Sequence, residues 1–171
     1  MEAPTPAHAA TAAPTPAHAA TAAPAATHQA GAVASSPAAR AAAVRAAAIR
    51  IARVRGARIV AAAGAQHGKP YRRGAQGPVA FDCSGLSSYA YRAVNIHLPR
   101  TADQQYRTAR RISSGAARAG DLVFWVSGKH AYHVAVYAGA GRVWHAPKPG
   151  DRIRLAKIWS PKEVRFGRIG V

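Results

Sequence analysis

The chain has 171 residues, of which 24 are Lys or Arg and 6 are Asp or Glu, so its net charge is +18. No apolar run approaches the roughly 20 residues that a membrane-spanning helix needs, and no signal peptide is visible at the start. A single cysteine excludes an internal disulfide, while the positive charge favours polyanionic partners such as nucleic acid, anionic lipid or acidic wall polymers.

The first 39 residues contain a ten-residue repeat. Thr5–Pro14 reads TPAHAATAAP, and Thr15–Pro24 repeats it letter for letter. Prolines interrupt any helix that the alanines begin, and the segment has little apolar surface to bury. We therefore predict a disordered, partly extended tail over residues 1–39. The repeat also spaces three histidines, which we interpret as solvated: His8, His18 and His28.

Residues 40–58 contain six arginines and no acidic residue among many alanines, a mixture that favours a helix. At about 100° per residue the arginines point in most directions around the helix axis, so there is no clean apolar face. We predict a basic helix or linker that is exposed to solvent and contacts an anionic surface. A charged linker helix without a partner is the alternative.

Residues 59–171 have the pattern of one folded domain. A second helix is predicted over residues 58–67, ended by Gly68 and Pro70. Two shorter helices follow, over residues 83–94 and 101–109. Four short strands are predicted over residues 122–126, 133–137, 142–146 and 164–169. Helices that precede antiparallel strands indicate an α+β fold, with N-terminal helices packed on a central antiparallel sheet.

The only cysteine, Cys83, lies in the sequence Phe-Asp-Cys-Ser-Gly-Leu. Asp82 is a suitable N-cap for a helix that begins at the cysteine. At the positive end of a helix dipole the nucleophilic thiolate is stabilised. A buried cysteine with a purely structural role is the alternative, and the local sequence does not choose between the two.

A cysteine nucleophile needs a base within hydrogen-bond reach and a third group that orients the base. If residues 138–140 form a three-residue hairpin loop, His133 lies directly opposite His145 on the same face of the sheet. A four-residue loop would put these histidines on opposite faces, so a catalytic pair requires the first register. Zinc bound by both histidines and Cys83 is an alternative, but the usual metal-binding spacings are missing.

Six short motifs, in this order, resemble those of the NlpC-type (NlpC/P-sixty) family of papain-like cell-wall cysteine peptidases. They are Gly68–Tyr71, Phe81–Leu86, Leu98–Thr101, Ala119–Phe124, His133–Gly139 and Trp144–Ala146. The resemblance covers residues 59–169. It implies a papain-like domain that hydrolyses peptidoglycan stem peptides, most often between D-glutamate and the diamino acid.

The resemblance also implies roles for individual residues. Cys83 would be the nucleophile, His133 the base and His145 the orienting residue, acting through a thioester acyl-enzyme. Tyr71 would line the cleft near the developing oxyanion. Substrate contacts are expected from three more side chains: Asp82, Ser84 and Arg100. No cofactor or metal is expected.

The chain departs from the family pattern at two places. Arg72 and Arg73 stand where an aromatic residue and glycines are common, which favours an acidic ligand such as a stem-peptide carboxylate. Tyr132 stands where a small serine is frequent. Neither change affects the expected nucleophile, base or orienting residue.

These observations lead us to expect a secreted or wall-associated cysteine endopeptidase that acts as a monomer on stem peptides. We also expect electrostatic contact with anionic wall polymers and no specific binding of nucleic acid. Two alternatives stay open. One is a basic module that binds cell wall or nucleic acid and has a vestigial site, and the other is an amidase or acyltransferase on the same fold.

Overall fold

The computed structural model describes residues 36–170, so the tail predicted over residues 1–39 lies almost wholly outside the described residues. Three α-helices are present: α1 (Pro37–Gly64), α2 (Cys83–Arg92) and α3 (Ala102–Thr108). There are six strands: β1 (Arg110–Ile112), β2 (Leu122–Ser127), β3 (His130–Gly139), β4 (Arg142–His145), β5 (Arg154–Lys157) and β6 (Val164–Arg168). A short 3-10 helix, Ser114–Ala116, lies between β1 and β2.

Helix α1 is one continuous helix of 28 residues, whereas the sequence predicted two helices that meet near residue 58. Alanine and arginine favour helix throughout, and the Ser36 hydroxyl caps the start by accepting the Ala39 N–H at 3.2 Å. Its buried residues lie only in the second half: Gly56, Ile59 and Ala63. The predicted boundary between residues 58 and 59 therefore falls inside a helix that packs on the domain by its C-terminal half alone.

All neighbouring strands of the six-stranded sheet are antiparallel, in the order β1-β6-β2-β3-β4-β5. One face packs against the helices and includes Leu122, Phe124 and Val134. Alternate residues such as Val123 and Trp125 form a second core on the opposite face, as the two-residue period of a strand requires. The expected α+β class, with helices on an antiparallel sheet, is confirmed.

The edge strands β1 and β5 were not predicted from the sequence. Each is short and rich in exposed residues, and a strand at the edge of a sheet needs no alternation of apolar and polar side chains. The position of β5 matters for the site, because it pairs with β4 and places Arg154 opposite His145.

The β3–β4 hairpin has a different loop from the predicted one. Ala140 and Gly141 form a two-residue loop with φ of 50° and 68°, the positive values that a type I′ turn needs. The register shifts after Tyr137, so Ala138 is an extra residue on β3. Neither of the two loops considered from the sequence is present, and the direct pairing of His133 with His145, which a catalytic pair was expected to require, does not occur.

The extra residue nevertheless keeps both histidines on one face. Val136 lies opposite Trp144 and Tyr137 opposite Val143, and the same register continued places His145 opposite Ala135. His133 and His145 are thus diagonal neighbours, offset by two residues. Because side chains alternate with a period of two, that offset preserves the face.

No helix among residues 36–170 combines the length and the apolar composition that crossing a bilayer requires.

Candidate active site

Two buried histidines are in direct contact at the β3–β4 pair. The Nε2 atom of His133 lies 3.1 Å from Nδ1 of His145, and the rings are nearly perpendicular at 85°. The exposed fractions of these residues are only 7% and 3%. Since Nε2 of His133 is in contact with His145, Nδ1 is the ring nitrogen that remains free to exchange a proton with another group.

Two tryptophans enclose the histidine pair. The Trp159 ring stacks on Trp125 at 3.9 Å and lies 5.0 Å from the ring of His145 and 5.7 Å from that of His133. The Trp125 indole N–H donates to the Trp159 carbonyl at 2.9 Å, which fixes the loop between β5 and β6. Sequence reasoning missed Trp159, because its position depends on the tertiary path of that loop.

Burial governs the protonation of both imidazoles. It lowers the pKa of His133 to about 3, with the proximity of His145 adding to the effect. It also lowers the pKa of His145 to about 4, with the Arg154 guanidinium acting in the same direction and Asp151 opposing it. Both rings are therefore neutral near pH 7.

Cys83 is the first residue of α2 and is partly exposed. Its side chain packs against the core cluster that includes Val134, the residue next to His133 on β3. Burial raises the pKa of the thiol, the backbone N–H of Val134 acts against this, and the negative charge of Asp82 adds to the rise. The thiol therefore lies beside the strand that carries His133 and is neutral near pH 7.

Asp82 connects the nucleophile helix to two other segments. Its carboxylate accepts the Gly85 N–H at 2.7 Å, which caps α2, and the Gly74 N–H at 2.8 Å. Arg100 donates to both carboxylate oxygens, at 2.5 and 3.1 Å, and to the Ser84 hydroxyl at 2.9 Å. Burial opposes ionisation of Asp82, but these hydrogen bonds outweigh it and hold the pKa of the carboxyl below its ordinary value.

These contacts separate the four residues expected to bind substrate into two groups. Asp82 and Ser84 are buried and hydrogen-bonded to each other and to Arg100. Arg100 and Tyr71 are partly exposed. Of these four residues, only the second pair is accessible to solvent.

Tyr71 lies beside the segment that leads to the nucleophile, since its backbone pairs with that of Phe81. Burial raises the pKa of its phenol, and the nearby Cys83 and Asp82 raise it further. The phenol is therefore a neutral hydrogen-bond donor near the thiol. The next residues, Arg72 and Arg73, are exposed.

A buried glutamine fixes α2 against α3. Gln105 is fully buried; its amide N–H donates to the carbonyl of Ser84 at 3.1 Å and of Pro99 at 2.9 Å, and its side-chain oxygen accepts the Ser87 hydroxyl at 2.7 Å. The motif resemblance included this region without a role for the side chain. Gln105 joins the nucleophile helix to the segment that carries Arg100.

A cavity of about 370 Å³ adjoins the histidine pair on the side of β5. Its wall includes both histidines, Trp159 and two cationic side chains, Lys148 and Arg154. The space is large enough for part of a peptide, and its wall also includes Asp151, which is ion-paired with Arg154 at 2.6 Å.

The other histidines of the folded region lie elsewhere. His130 is exposed and lies 3.5 Å from Asp103, and His67 packs edge-on against Trp144. Within residues 36–170, no group of three His, Cys, Asp or Glu side chains is placed to hold a metal ion.

Known proteins resemble this chain over the same region. Residues 68–165 match the model of the NlpC/P60 family. The probable endopeptidase p60 of Listeria welshimeri is 40% identical over 114 residues, which cover 65% of this chain and 22% of that protein. The bifunctional muramidase/DL-endopeptidase CwlT of Bacillus subtilis is 40% identical over 108 residues, covering 60% of this chain and 33% of that protein. The chain thus spans about a fifth to a third of the length of these two relatives.

Solved structures share the fold. The NlpC/p60 domain of the peptidoglycan hydrolase SagA is 38% identical, with a TM-score of 0.60 over 66% of this chain and 96% of that chain. RipD of Mycobacterium tuberculosis, described as a non-catalytic NlpC/p60 domain protein adapted to peptidoglycan binding, is 26% identical with a TM-score of 0.58, over 67% of this chain and 97% of that chain. Together with the match over residues 68–165, these similarities lead to one conclusion: the chain belongs to the NlpC/P60 family.

Proposed function

We propose that the protein is a cysteine endopeptidase that hydrolyses peptidoglycan stem peptides, at the bond between D-glutamate and the diamino acid. One observation carries the proposal. A partly exposed thiol at the start of α2 packs against the core cluster that includes Val134, and the preceding residue, His133, is in contact with His145 at 3.1 Å. This proximity of the thiol to the strand that carries His133 supports the assignment of Cys83 as nucleophile, His133 as base and His145 as orienting group.

The protonation states favour general-base activation over a preformed ion pair. With the thiol pKa raised and the imidazole pKa lowered, the resting site holds a neutral thiol and a neutral His133. As the sulfur attacks the scissile carbonyl, its proton passes to Nδ1 of His133. The contact with His145 holds the ring in the tautomer that accepts there.

The two half-reactions then balance. Collapse of the tetrahedral intermediate breaks the C–N bond, and the His133 proton passes to the departing amine. The acyl group remains on Cys83 as a thioester. Water, deprotonated by His133, attacks the thioester and releases the carboxylic acid and the free thiol. The Cys83 backbone N–H and the Tyr71 hydroxyl are donors for the oxyanion.

The charges around the site fit a substrate with several carboxylates. Arg72 and Arg73 are exposed next to Tyr71, and Arg100 is partly exposed. The cavity beside Trp159 is lined by Lys148 and by the ion pair of Arg154 with Asp151. We assign the first set to the peptide before the scissile bond and the cavity to the amine product. Asp82 and Ser84 then position Arg100 and the nucleophile helix.

The same proposal places the protein at the cell wall, secreted or wall-associated, as a monomer with no specific nucleic-acid partner. Its support is the peptidoglycan hydrolase SagA among the structural relatives and the excess of basic residues.

The decisive experiment digests purified peptidoglycan and defined stem peptides, with products identified by mass spectrometry. We expect wild-type protein to release fragments that end in D-glutamate, and the C83A and H133A variants to release none above background. The H130A variant removes an exposed histidine outside the site and should keep full activity. Fragments that persist in C83A, or their absence in the wild type, would contradict the proposal.

A second candidate function is peptidoglycan binding without cleavage, since RipD is described as a non-catalytic member of the family adapted to binding. This chain retains a thiol and two histidines at the site, which supports cleavage. Sedimentation with purified peptidoglycan separates the two functions. Equal binding by wild type and C83A, with no fragments from either, would favour the binding module.

A further inference from the structure

We propose that the cleft between α1 and the end of α2 binds an anionic phosphodiester polymer of the cell wall. We name this cleft the arginine cleft and define it by its arginines, Arg50, Arg55 and Arg58. It is a cavity of about 340 Å³, completed by Ile51, Val54 and residues 93–95. The cleft lies on α1, outside the set of residues assigned to peptide cleavage. The wall as the location of the polymer rests on the proposed function, while the preference for phosphate rests on the cleft alone.

The cationic side chains of the cleft have no acidic partners among the residues that the structure describes. Within residues 36–170, no ion pair or hydrogen bond engages the side chain of Arg50 or of Arg58. The acidic side chains of the same region are already engaged. Four of them pair with arginine: Asp82, Asp103, Asp121 and Asp151. The fifth, Glu163, accepts the Tyr132 hydroxyl at 2.6 Å. No acidic side chain within residues 36–170 is therefore left to neutralise the cleft, which makes it available to an anionic ligand.

The cleft is partly preorganised. Arg55 donates to the Gly170 carbonyl at 2.8 Å, which holds its stem in place and leaves further N–H groups of the guanidinium available. Ile51 and Val54 are 60% and 57% exposed and form an apolar floor. Side chains that are already ordered lose less conformational entropy when a ligand binds.

Phosphate can be approached by guanidinium groups from more directions than carboxylate can. A phosphodiester shares one negative charge between two oxygens and has two ester oxygens in a tetrahedral array, so several planar N–H forks can approach it at once. Arg50 and Arg58 are about 12 Å apart along the helix axis, a distance that calls for more than one phosphate. The cleft is therefore fitted to a chain of phosphates.

Two other polyanions fit less well. A nucleic-acid single strand is normally held by aromatic stacking, and no aromatic residue lines the cleft. A lipid surface requires a helix with one continuous apolar face. On α1 the exposed aliphatic residues Val44, Ile51 and Val54 lie on one side and Ile49 on the other, with arginines between them.

The test compares two double variants with the same change of charge. R50Q/R58Q removes the unpaired cations of the cleft. R110Q/R142Q is the control, because both of its arginines are exposed and lie on the sheet. Binding is measured to purified wall that retains its phosphodiester polymer and to the same wall after hydrofluoric acid has removed it. A short soluble stem peptide serves as the cleavage substrate.

We expect wild type and R110Q/R142Q to bind the polymer-bearing wall at least tenfold more tightly than the stripped wall. R50Q/R58Q should lose most of that preference. The plot of log affinity against log salt concentration should be less steep for this variant than for wild type. The magnitude of its slope should be smaller by about 1.5, since each phosphate contact contributes roughly 0.7 to 0.9 to that magnitude. Cleavage of the soluble peptide should be unchanged in both variants, which separates this proposal from the proposed function.

Three outcomes would overturn the proposal. Equal losses in the two double variants would mean that binding depends on total charge and not on the cleft. Equal binding to both walls would exclude the polymer. The third outcome concerns competition by duplex DNA, polyglutamate or anionic vesicles. If one of these displaced the protein from the wall at a lower concentration of charge than the free polymer does, the cleft would be assigned to that ligand.

Discussion

At the scale of single residues, Asp82 connects three segments of the candidate site through hydrogen bonds of its carboxylate. Its carboxylate caps α2, fixes the loop at Gly74 and orients the guanidinium of Arg100. The last of these contacts joins residues that are 18 positions apart in the sequence. The motif around Cys83 predicted the helix cap, because a cap is a local feature. The ion pair with Arg100 depends on the tertiary fold and has no signal in the sequence.

The D82A variant should be less stable than wild type by about 3 kcal/mol. The change removes an N-cap, worth roughly 1 kcal/mol, and leaves the partly buried Arg100 without its counter-ion, which costs more. Urea denaturation measures the difference. The control is D103A, which removes a more exposed carboxylate paired with Arg107 and should lose clearly less stability than D82A. Equal losses would contradict the role given to Asp82.

The histidine pair predicts how stability depends on pH. The pKa values of about 3 for His133 and about 4 for His145 lie below the 6.5 of an unfolded histidine. Between these values the unfolded chain binds more protons than the folded chain. The contribution of the neutral histidine pair to the free energy of unfolding is therefore fully present above about pH 6.5. It is lost as the pH falls toward 4, and each histidine accounts for a loss of up to roughly 1.4 kcal/mol per pH unit.

Thermal denaturation between pH 7 and 4.5 checks this dependence. The H133Q/H145N variant should show a smaller fall in Tm across that range than wild type. The exposed His130 supplies the control, since H130Q should retain the wild-type slope. If the double variant lost stability with pH as steeply as wild type, other groups would be responsible.

At the scale of elements, α1 packs against the turn that precedes β2 through a backbone contact that only glycine permits. A Cβ atom on Gly56 would lie 2.1 Å from the Ala119 carbonyl oxygen, whereas one on Gly64 would lie 3.2 Å from the Trp144 ring. Alanine stabilises a helix by about 1 kcal/mol relative to glycine, but a clash with backbone costs more because the backbone has little freedom to move.

The G56A variant should therefore be destabilised by about 2 kcal/mol, although the change favours helix formation. The matched control is G64A, in the same helix, where the aromatic neighbour has room to shift and stability should change by less than about 1 kcal/mol. Equilibrium unfolding in urea measures both. A more stable G56A protein would show that α1 packs less closely than described.

The sequence predicted the starts of helices well, because local chemistry decides them. It predicted the strands less well where their position depends on pairing with other strands. The starts of α2 and α3 were placed to within a residue, because Asp82 and Thr101 are caps that a local motif reveals. Strands β1 and β5 were missed, since edge strands are exposed. The shared face of His133 and His145 was predicted, but the pairing was not, because the extra residue at Ala138 has no signature in the sequence.

At the scale of the whole molecule, positive charge is in large excess. The chain has 24 basic and 6 acidic residues, and every acidic residue between positions 36 and 170 is already engaged. The remaining cations repel one another in the folded state more than in the expanded unfolded chain. Salt screens that repulsion, and it also weakens ion pairs, but exposed ion pairs contribute only about 0 to 1 kcal/mol each.

Raising sodium chloride from 50 to 300 mM should therefore increase the Tm, by a few degrees or about 1 kcal/mol of stability. Calorimetry or circular dichroism measures the change. The R110Q/R142Q variant, with two fewer positive charges, should have a higher Tm at low salt and a smaller increase. A Tm that fell with salt would mean that the ion pairs outweigh the repulsion.

The extra residue at Ala138 makes the β3–β4 hairpin sensitive to whether its length is odd or even. Removing or adding one residue between Tyr137 and Arg142 would send His145 to the face of the sheet that packs against the helices, while His133 stayed where it is. Changes of two residues keep both imidazoles together. Length variation at this turn should therefore be tolerated only in pairs, which makes the turn a poor site for single insertions and a usable one for grafting short even-numbered loops.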